Sequence, residues 1–171
     1  MLYMVEMDMP HVDLLHDWHE WYEQHIFKLL KMPGFINAQR FVSVSPTPSP
    51  YLAIYSISDE TALTNPIYTS QAGPQSAENW APHMSNWSRN LFNGVDRIEE
   101  VLLDKHMAVY DRYTSTAESL NQEVFSLNPI GLDYSVLERS ICFASSNENF
   151  QEPLQGWSLR KMRPLSAMKY S

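Results

Sequence analysis

The chain opens on a strict alternation. Within residues 2–9, Tyr3, Val5, Met7 and Met9 fall on one face and Met4, Glu6 and Asp8 on the other, the period-two pattern of a strand. Pro10 closes it, and Asp13 is placed to cap a helix. Over 14–31 the spacing becomes helical, with Leu14, Trp18, Trp21, Tyr22, Ile26, Leu29 and Leu30 in one apolar stripe. Lys28 and Lys31 sit in the last turn, where cations suit the helix dipole, and Met32-Pro33-Gly34-Phe35 stops the helix. Residues 35–45 and 51–58 read as strands around a "PTPSP" loop whose prolines cannot join a ladder. The polar stretch 59–79 reads as a long loop with one helical turn near Thr61–Leu63, the length of a functional lid.

Further on, Trp80, Met84, Trp87 and Leu91 recur at i, i+4, i+7 and i+11, with Pro82 suited to a first turn. This spacing predicts a second helix that ends at Asn93-Gly94, and residues 97–113 predict a fourth strand. The order β-α-β-β-α-β predicts an α+β domain over 1–113, a ferredoxin-like antiparallel sheet of four strands with both helices on one face. Residues 114–171 are expected as a C-terminal extension, packed on that domain or across a dimer. It would hold a capping-box start at Ser115–Glu118, a short helix to Leu127, and strands over "SVLERSICFAS" and "WSLRKMRPL" on either side of a "SNENFQEP" loop. No internal repeat stands out.

Composition narrows the functional classes. With 171 residues, 44% hydrophobic and 19% charged, the chain can bury a core and fits one domain or a domain with an extension. A net charge of −8 argues against nucleic acid, which demands Lys and Arg against phosphates. From Trp157 onward there are four basic residues and no acids, so a basic end meets an acidic body. Cys142 is the only cysteine, the N-terminus has acids and no basic region, and no apolar run approaches the roughly 20 residues of a membrane span. A cytoplasmic protein without membrane partners is the expectation. There is no Gly-rich phosphate loop, no Gly-x-Ser-x-Gly elbow and no Cys-x-x-Cys, and the pattern calls for neither a cofactor nor a metal.

The helix "WYEQHIFKLLKMPGF", the strand "INAQRFVSV" and the strand "PYLAIYSISD" before a Trp-containing segment resemble the dimeric α+β barrel superfamily, and within it the EthD-like proteins, over about residues 1–113. In that group a His precedes a "PGF"-type turn by a few residues. The resemblance implies a homodimer whose two sheets close into a barrel, with a small-molecule pocket between sheet and helices. Its members include cofactor-free monooxygenases, isomerases, polyketide cyclases and heme proteins, so the fold alone does not select a reaction.

Three of the six histidines, His16, His19 and His25, share the first helix. At about 100° per residue, His16 and His19 lie about 60° apart and His25 about 180° from His16, so one ion cannot take all three. His16 and His19 read as solvated polar residues, and a metal-assisted site with Glu20 is a weaker alternative. His25 lies with the apolar stripe. It is either a core histidine satisfied by a carbonyl or a general acid or base, and the resemblance places a pocket-facing His there.

Tyr22 and Tyr55 are candidate donors to an oxyanion, or core tyrosines. His83 and Trp87, four apart, would share a face if helical, so that His83 could meet His25 across a ligand. Trp18 offers an aromatic wall. Arg40, among apolar neighbours, either holds a substrate carboxylate or pairs with Glu6 or Asp8. Asp111 is a candidate buried partner. The sequence thus points to a cofactor-independent enzyme using His25, Tyr22, Tyr55 and His83 for acid–base chemistry, with Trp18, Arg40, Trp87 and Asp111 holding substrate. The reaction would be a cyclisation, isomerisation, elimination or oxygenation of a small hydrophobic, aromatic or polyketide-like compound. The alternative is a non-catalytic ligand-binding or structural dimer.

Overall fold

The computed structural model describes residues 1–117, 120, 124–145, 150, 152 and 155–171. The strands are β1 (Leu2–Asp8), β2 (Phe35–Ser43), β3 (Tyr51–Ile57), β4 (Ser85–Asn93), β5 (Lys105–Arg112), β6 (Phe125–Leu132), β7 (Glu138–Ser145), β8 (Trp157–Pro164) and the short β9 (Lys169–Tyr170). Helix α1 (Leu15–Leu30) is the long one, and α2 (Thr61–Thr64) and α3 (Pro66–Gln71) are single turns. Among the described residues no helix is long and apolar enough to cross a membrane.

The period-two pattern of β1 does most of the organising. Tyr3, Val5 and Met7 face outward into a cluster with Trp18, Tyr22, Ile26 and Leu29 of α1. Leu2 and Met4 face inward, toward Phe41, Ile54, Phe92, Met107, Val109 and Met162. The strand is buried from Leu2 to Met7. It pairs antiparallel with β3 on one side (Val5 opposite Ala53) and β4 on the other (Val5 opposite Arg89).

The expected ferredoxin-like four-stranded sheet with two helices is not what forms. All the ladders are antiparallel and run β3-β1-β4-β6-β7-β5-β8-β2, and β2 then pairs with β3, closing an eight-stranded barrel. β9 adds to the free stretch of β2. Residues 125–164, expected as part of an extension to a 1–113 domain, supply three of these barrel strands. The closure that the resemblance assigned to a pair of chains is therefore made within one. The ladder also reads β2-β3-β1-β4 followed by β6-β7-β5-β8, the same order twice, so a repeat that the residues conceal is present in the topology.

The second predicted helix is the physical root of the difference. Residues 85–93 are a strand, and Pro82 begins only a 3-10 turn over Ala81–His83. Leu91 packs outward with Tyr3 and Val5, while Phe92 packs inward with Leu2 and Met4. A helix would have buried a single stripe, whereas alternation serves two cores at once. The strand predicted over 97–113 is β5 and starts only at Lys105, because 95–104 runs across one end of the barrel as a plug. There Ile98 and Val101 are buried, Asn37 Nδ2 donates to the Ile98 carbonyl (3.0 Å), and Gln39 Nε2 donates to the Val101 carbonyl (2.7 Å). Leu127, predicted to end a helix, pairs in β6 opposite Arg139. Of the predicted capping box, Glu118 lies outside the described residues, as do part of the helix expected after it and most of the "SNENFQEP" loop. Gly94 closes β4 at a φ of 108°, and a Cβ there would run into the Ser126 carbonyl where β4 meets β6.

Candidate functional site

Helix α1 packs on the outer face of β1, β2 and β3, and residues 59–79 fold back over its side. Asn65 caps α3 by accepting the Ile67 N–H (2.9 Å), with Pro66 in the first turn. Tyr68 on α3 is buried and stacks on Phe35 at 5.7 Å. Ala72 and Ala77 are buried beside it, so this segment forms the lid over a cavity of about 30 Å³. That is room for about one or two waters. Its wall includes Tyr3, Tyr22, His25, Tyr55, Tyr68, Ser76, Trp87 and Arg89.

His25 stands at this wall. Its ring stacks on Trp21 (5.2 Å, 15°) and meets Tyr22 edge-on at 5.9 Å, and Ser76 Oγ lies 3.5 Å from Nδ1. Burial, aided by the Lys28 and Arg40 cations, pushes its pKa down to about 4, so the imidazole is neutral across the physiological range. The Tyr22 and Tyr55 hydroxyls are also buried, which raises both pKa values and keeps both protonated. The Tyr55 hydroxyl lies near that of Tyr22 yet makes no well-formed hydrogen bond, an unusual state for a buried phenol.

Of the residues singled out from sequence, the fold gathers His25, Tyr22, Tyr55 and Trp87 on one cavity. The other four lie elsewhere. His83 packs edge-on against His11 (5.3 Å) and does not line the cavity, since 81–83 is a 3-10 turn ahead of a strand. Trp18 is fully buried beneath Arg40, whose guanidinium lies 5.0 Å from its ring and 4.1 Å from that of Tyr22. Arg40 does not pair with Glu6 or Asp8. Its side chain points to the helix, where it donates to His19 Nδ1 (3.0 Å) and sits 3.7 Å from Glu23. Asp111 lies inside the barrel, bound by Arg139.

His19 departs from the solvated reading. It is half-buried, and burial together with Arg40 lowers its pKa to about 4. Accepting from Arg40 fixes its proton on Nε2. His16 is exposed and lies 3.5 Å from Glu20. Among the described residues no three His, Cys, Asp or Glu side chains come together as a metal-binding set.

Arg89, Tyr3, Tyr68 and Ser76 were not singled out from sequence. Tyr3 could have been found from its alternation with Val5, and Arg89 only by reading 85–93 as a strand. The Arg89 guanidinium lies 5.8 Å over the Trp87 ring and pairs with no carboxylate among the described residues. It is a cation at the edge of an aromatic cavity.

No known protein family matches the sequence, and no curated protein does. Two solved structures share the fold, each described as a "putative monooxygenase". The one from Lactobacillus acidophilus NCFM is 7% identical with a TM-score of 0.59, covering 97% of this chain and 94% of that one. The one from Fusobacterium nucleatum subsp. nucleatum is 10% identical with a TM-score of 0.60, covering 99% and 93%. At such identity the likeness is one of fold.

Proposed function

We propose that the chain is a small-molecule enzyme whose active site is the cavity between α1, the sheet and the 59–79 lid, with neutral His25 as the group that moves a proton. One observation carries the reading: a neutral imidazole and a buried Tyr55 hydroxyl, whose near neighbour is the Tyr22 hydroxyl, share the wall of an aromatic cavity. A phenolic or enolisable compound, aromatic or polyketide-like, suits such a wall. His25 accepts its proton, and the Tyr55 hydroxyl donates to the oxygen on which charge develops, aided by Tyr22. Arg89 holds the anion from the rim. Cyclisation, isomerisation, elimination and oxygenation can each begin from that anion, and the proton transfer itself calls for no cofactor. The description given to the two structural neighbours supports a small-molecule enzyme. A homodimer, expected from the resemblance, would be additional to barrel closure rather than its cause.

An imidazole with a pKa near 4 is a weak base. The transfer is therefore driven by stabilisation of the anion, and the lid must open to admit any compound larger than water. The test is a screen of phenols and enolisable ketones against the protein and its His25→Ala variant. Turnover should fall by about 10²–10⁴-fold with the circular dichroism unchanged. A fully active His25→Ala protein removes the assignment. The small volume of the cavity also favours a second reading, a non-catalytic binder, which predicts that a bound compound is recovered unchanged.

A further inference from the structure

Among the described residues the barrel is plugged at one end and open at the other, and the open end holds far more space than the helix-side cavity, about 360 Å³. We propose that this mouth is a second ligand site, taking a small polar molecule that carries a carboxylate or phosphate group, held by Arg160. It goes beyond the acid–base reading, because the alternation of β1 sends Glu6 into the barrel and Val5 and Met7 to the opposite side.

Four charges floor the cavity. Arg139 is all but fully buried, donating through Nε to Asp111 Oδ1 (2.6 Å) and through Nη2 to Asp111 Oδ2 (3.0 Å) and Glu6 Oε2 (2.9 Å). Arg160 closes the ring through Nη2, on Glu6 Oε1 and on Asp111 Oδ2 (3.0 Å). Two cations neutralise two carboxylates, so the floor carries no net charge. The members are not equally placed, however. The acids are 5% and 1% exposed and Arg139 1%, while Arg160 is 11% exposed and stands nearest the opening. Its Nη1 reaches only the Ser49 carbonyl at 3.5 Å, and its Nε makes no hydrogen bond among the described residues. The ring thus shows the cavity a guanidinium edge with unused donors, suited to a planar or tetrahedral oxyanion. Ser88, Ser135 and Ser158 place hydroxyls around the walls, and the Ser45–Ser49 loop forms the rim.

Stability does not call for this arrangement. Burying two ion pairs costs desolvation that their attraction only offsets, and apolar side chains of similar size often serve as well or better. Deeper in the same barrel, Leu2, Met4, Phe41 and Ile54 do fill the space with apolar groups. The charges are confined to the end that opens to solvent.

The test is calorimetric titration of the full chain at low ionic strength with acetate, succinate, citrate and inorganic phosphate, with glucose as the uncharged comparator. At least one anion should bind saturably, about ten- to a hundredfold more weakly in Arg160→Gln. Ser158→Met, which fills space and keeps all four charges, should also weaken binding, while His25→Ala should leave it unchanged. Preference among the probes tells carboxylate from phosphate. Absence of saturable anion binding, equal binding of glucose, or unaltered affinity in either folded mouth variant would overturn the proposal.

Discussion

The Glu6 carboxylate makes the barrel's resistance to acid calculable. Burial alone would raise its pKa, but Arg139 and Arg160 outweigh burial and hold it down to about 2, against an ordinary 4.5. A carboxyl with a depressed folded pKa contributes stability above its unfolded pKa and loses it as pH falls through the folded one. The contribution is about 3 kcal/mol at neutral pH and about 1 kcal/mol at pH 3. In Glu6→Gln that contribution vanishes and two buried guanidiniums lose half of their counter-charge. The variant should therefore be about 3–5 kcal/mol less stable at pH 7, a drop in Tm of roughly 6–20 °C for a chain of this size. Urea unfolding at intervals from pH 7 to pH 3, for both proteins, reads the effect directly, and urea avoids the screening that guanidinium salt would impose. The gap between the two curves must narrow by about 2 kcal/mol as pH falls to 3. Parallel curves would refute the reasoning, because they would mean that Glu6 does not titrate against the arginines.

Three further outcomes are expected. For a substrate found in the screen, kcat/KM should stay flat from about pH 5 to 8 with respect to His25 and fall as pH approaches 4, where the imidazole becomes protonated; a fall centred near 6.5 would mean that His25 is not held neutral by its surroundings. Arg40→Met should raise the His19 pKa from about 4 toward its ordinary 6.5, visible by NMR titration, though burial, the larger cause, will keep it below that value. Gly94→Ala should destabilise by about 2–4 kcal/mol in chemical denaturation, since a positive φ and a clash with the Ser126 carbonyl act together; a neutral result would show that the β4–β6 junction can shift freely.

Local pattern disclosed the elements whose burial is one-sided or plainly alternating. β1, α1, β2 and β3 stand close to where Tyr3, Val5, Trp18, Ile26 and their neighbours place them. The failure at 85–93 has a definite cause. Trp87 and Leu91 satisfy helical and extended periods alike, and only the knowledge that Phe92 also needs a core separates the two. That segment and the reading of 114–171 as an extension together misplaced the fold class, because β4 is the strand that hands the ladder on to β6 and residues 125–164 supply three strands of the closed barrel. For the site, the helix carried the information: His25 and Tyr22 could be placed from the wheel of α1. Arg89 and Ser76 could not, because one was hidden by the wrong period and the other sits in a segment whose shape depends on Asn65 and Pro66 capping α3. Arg160 and Glu6, 154 positions apart in sequence, meet only through barrel closure, a long-range event that no local spacing records.

Because both runs of the repeated strand order belong to one polypeptide, the barrel is exempt from mass action: its two halves cannot part on dilution, and its unfolding should be first order and independent of protein concentration. A pair of identical chains must also keep every change twice. A tethered pair need not, so the half that carries α1, the lid and His25 is free to diverge from the half that supplies Asp111, Arg139 and Arg160. Asymmetry of that kind is open to a single chain and closed to a symmetric dimer.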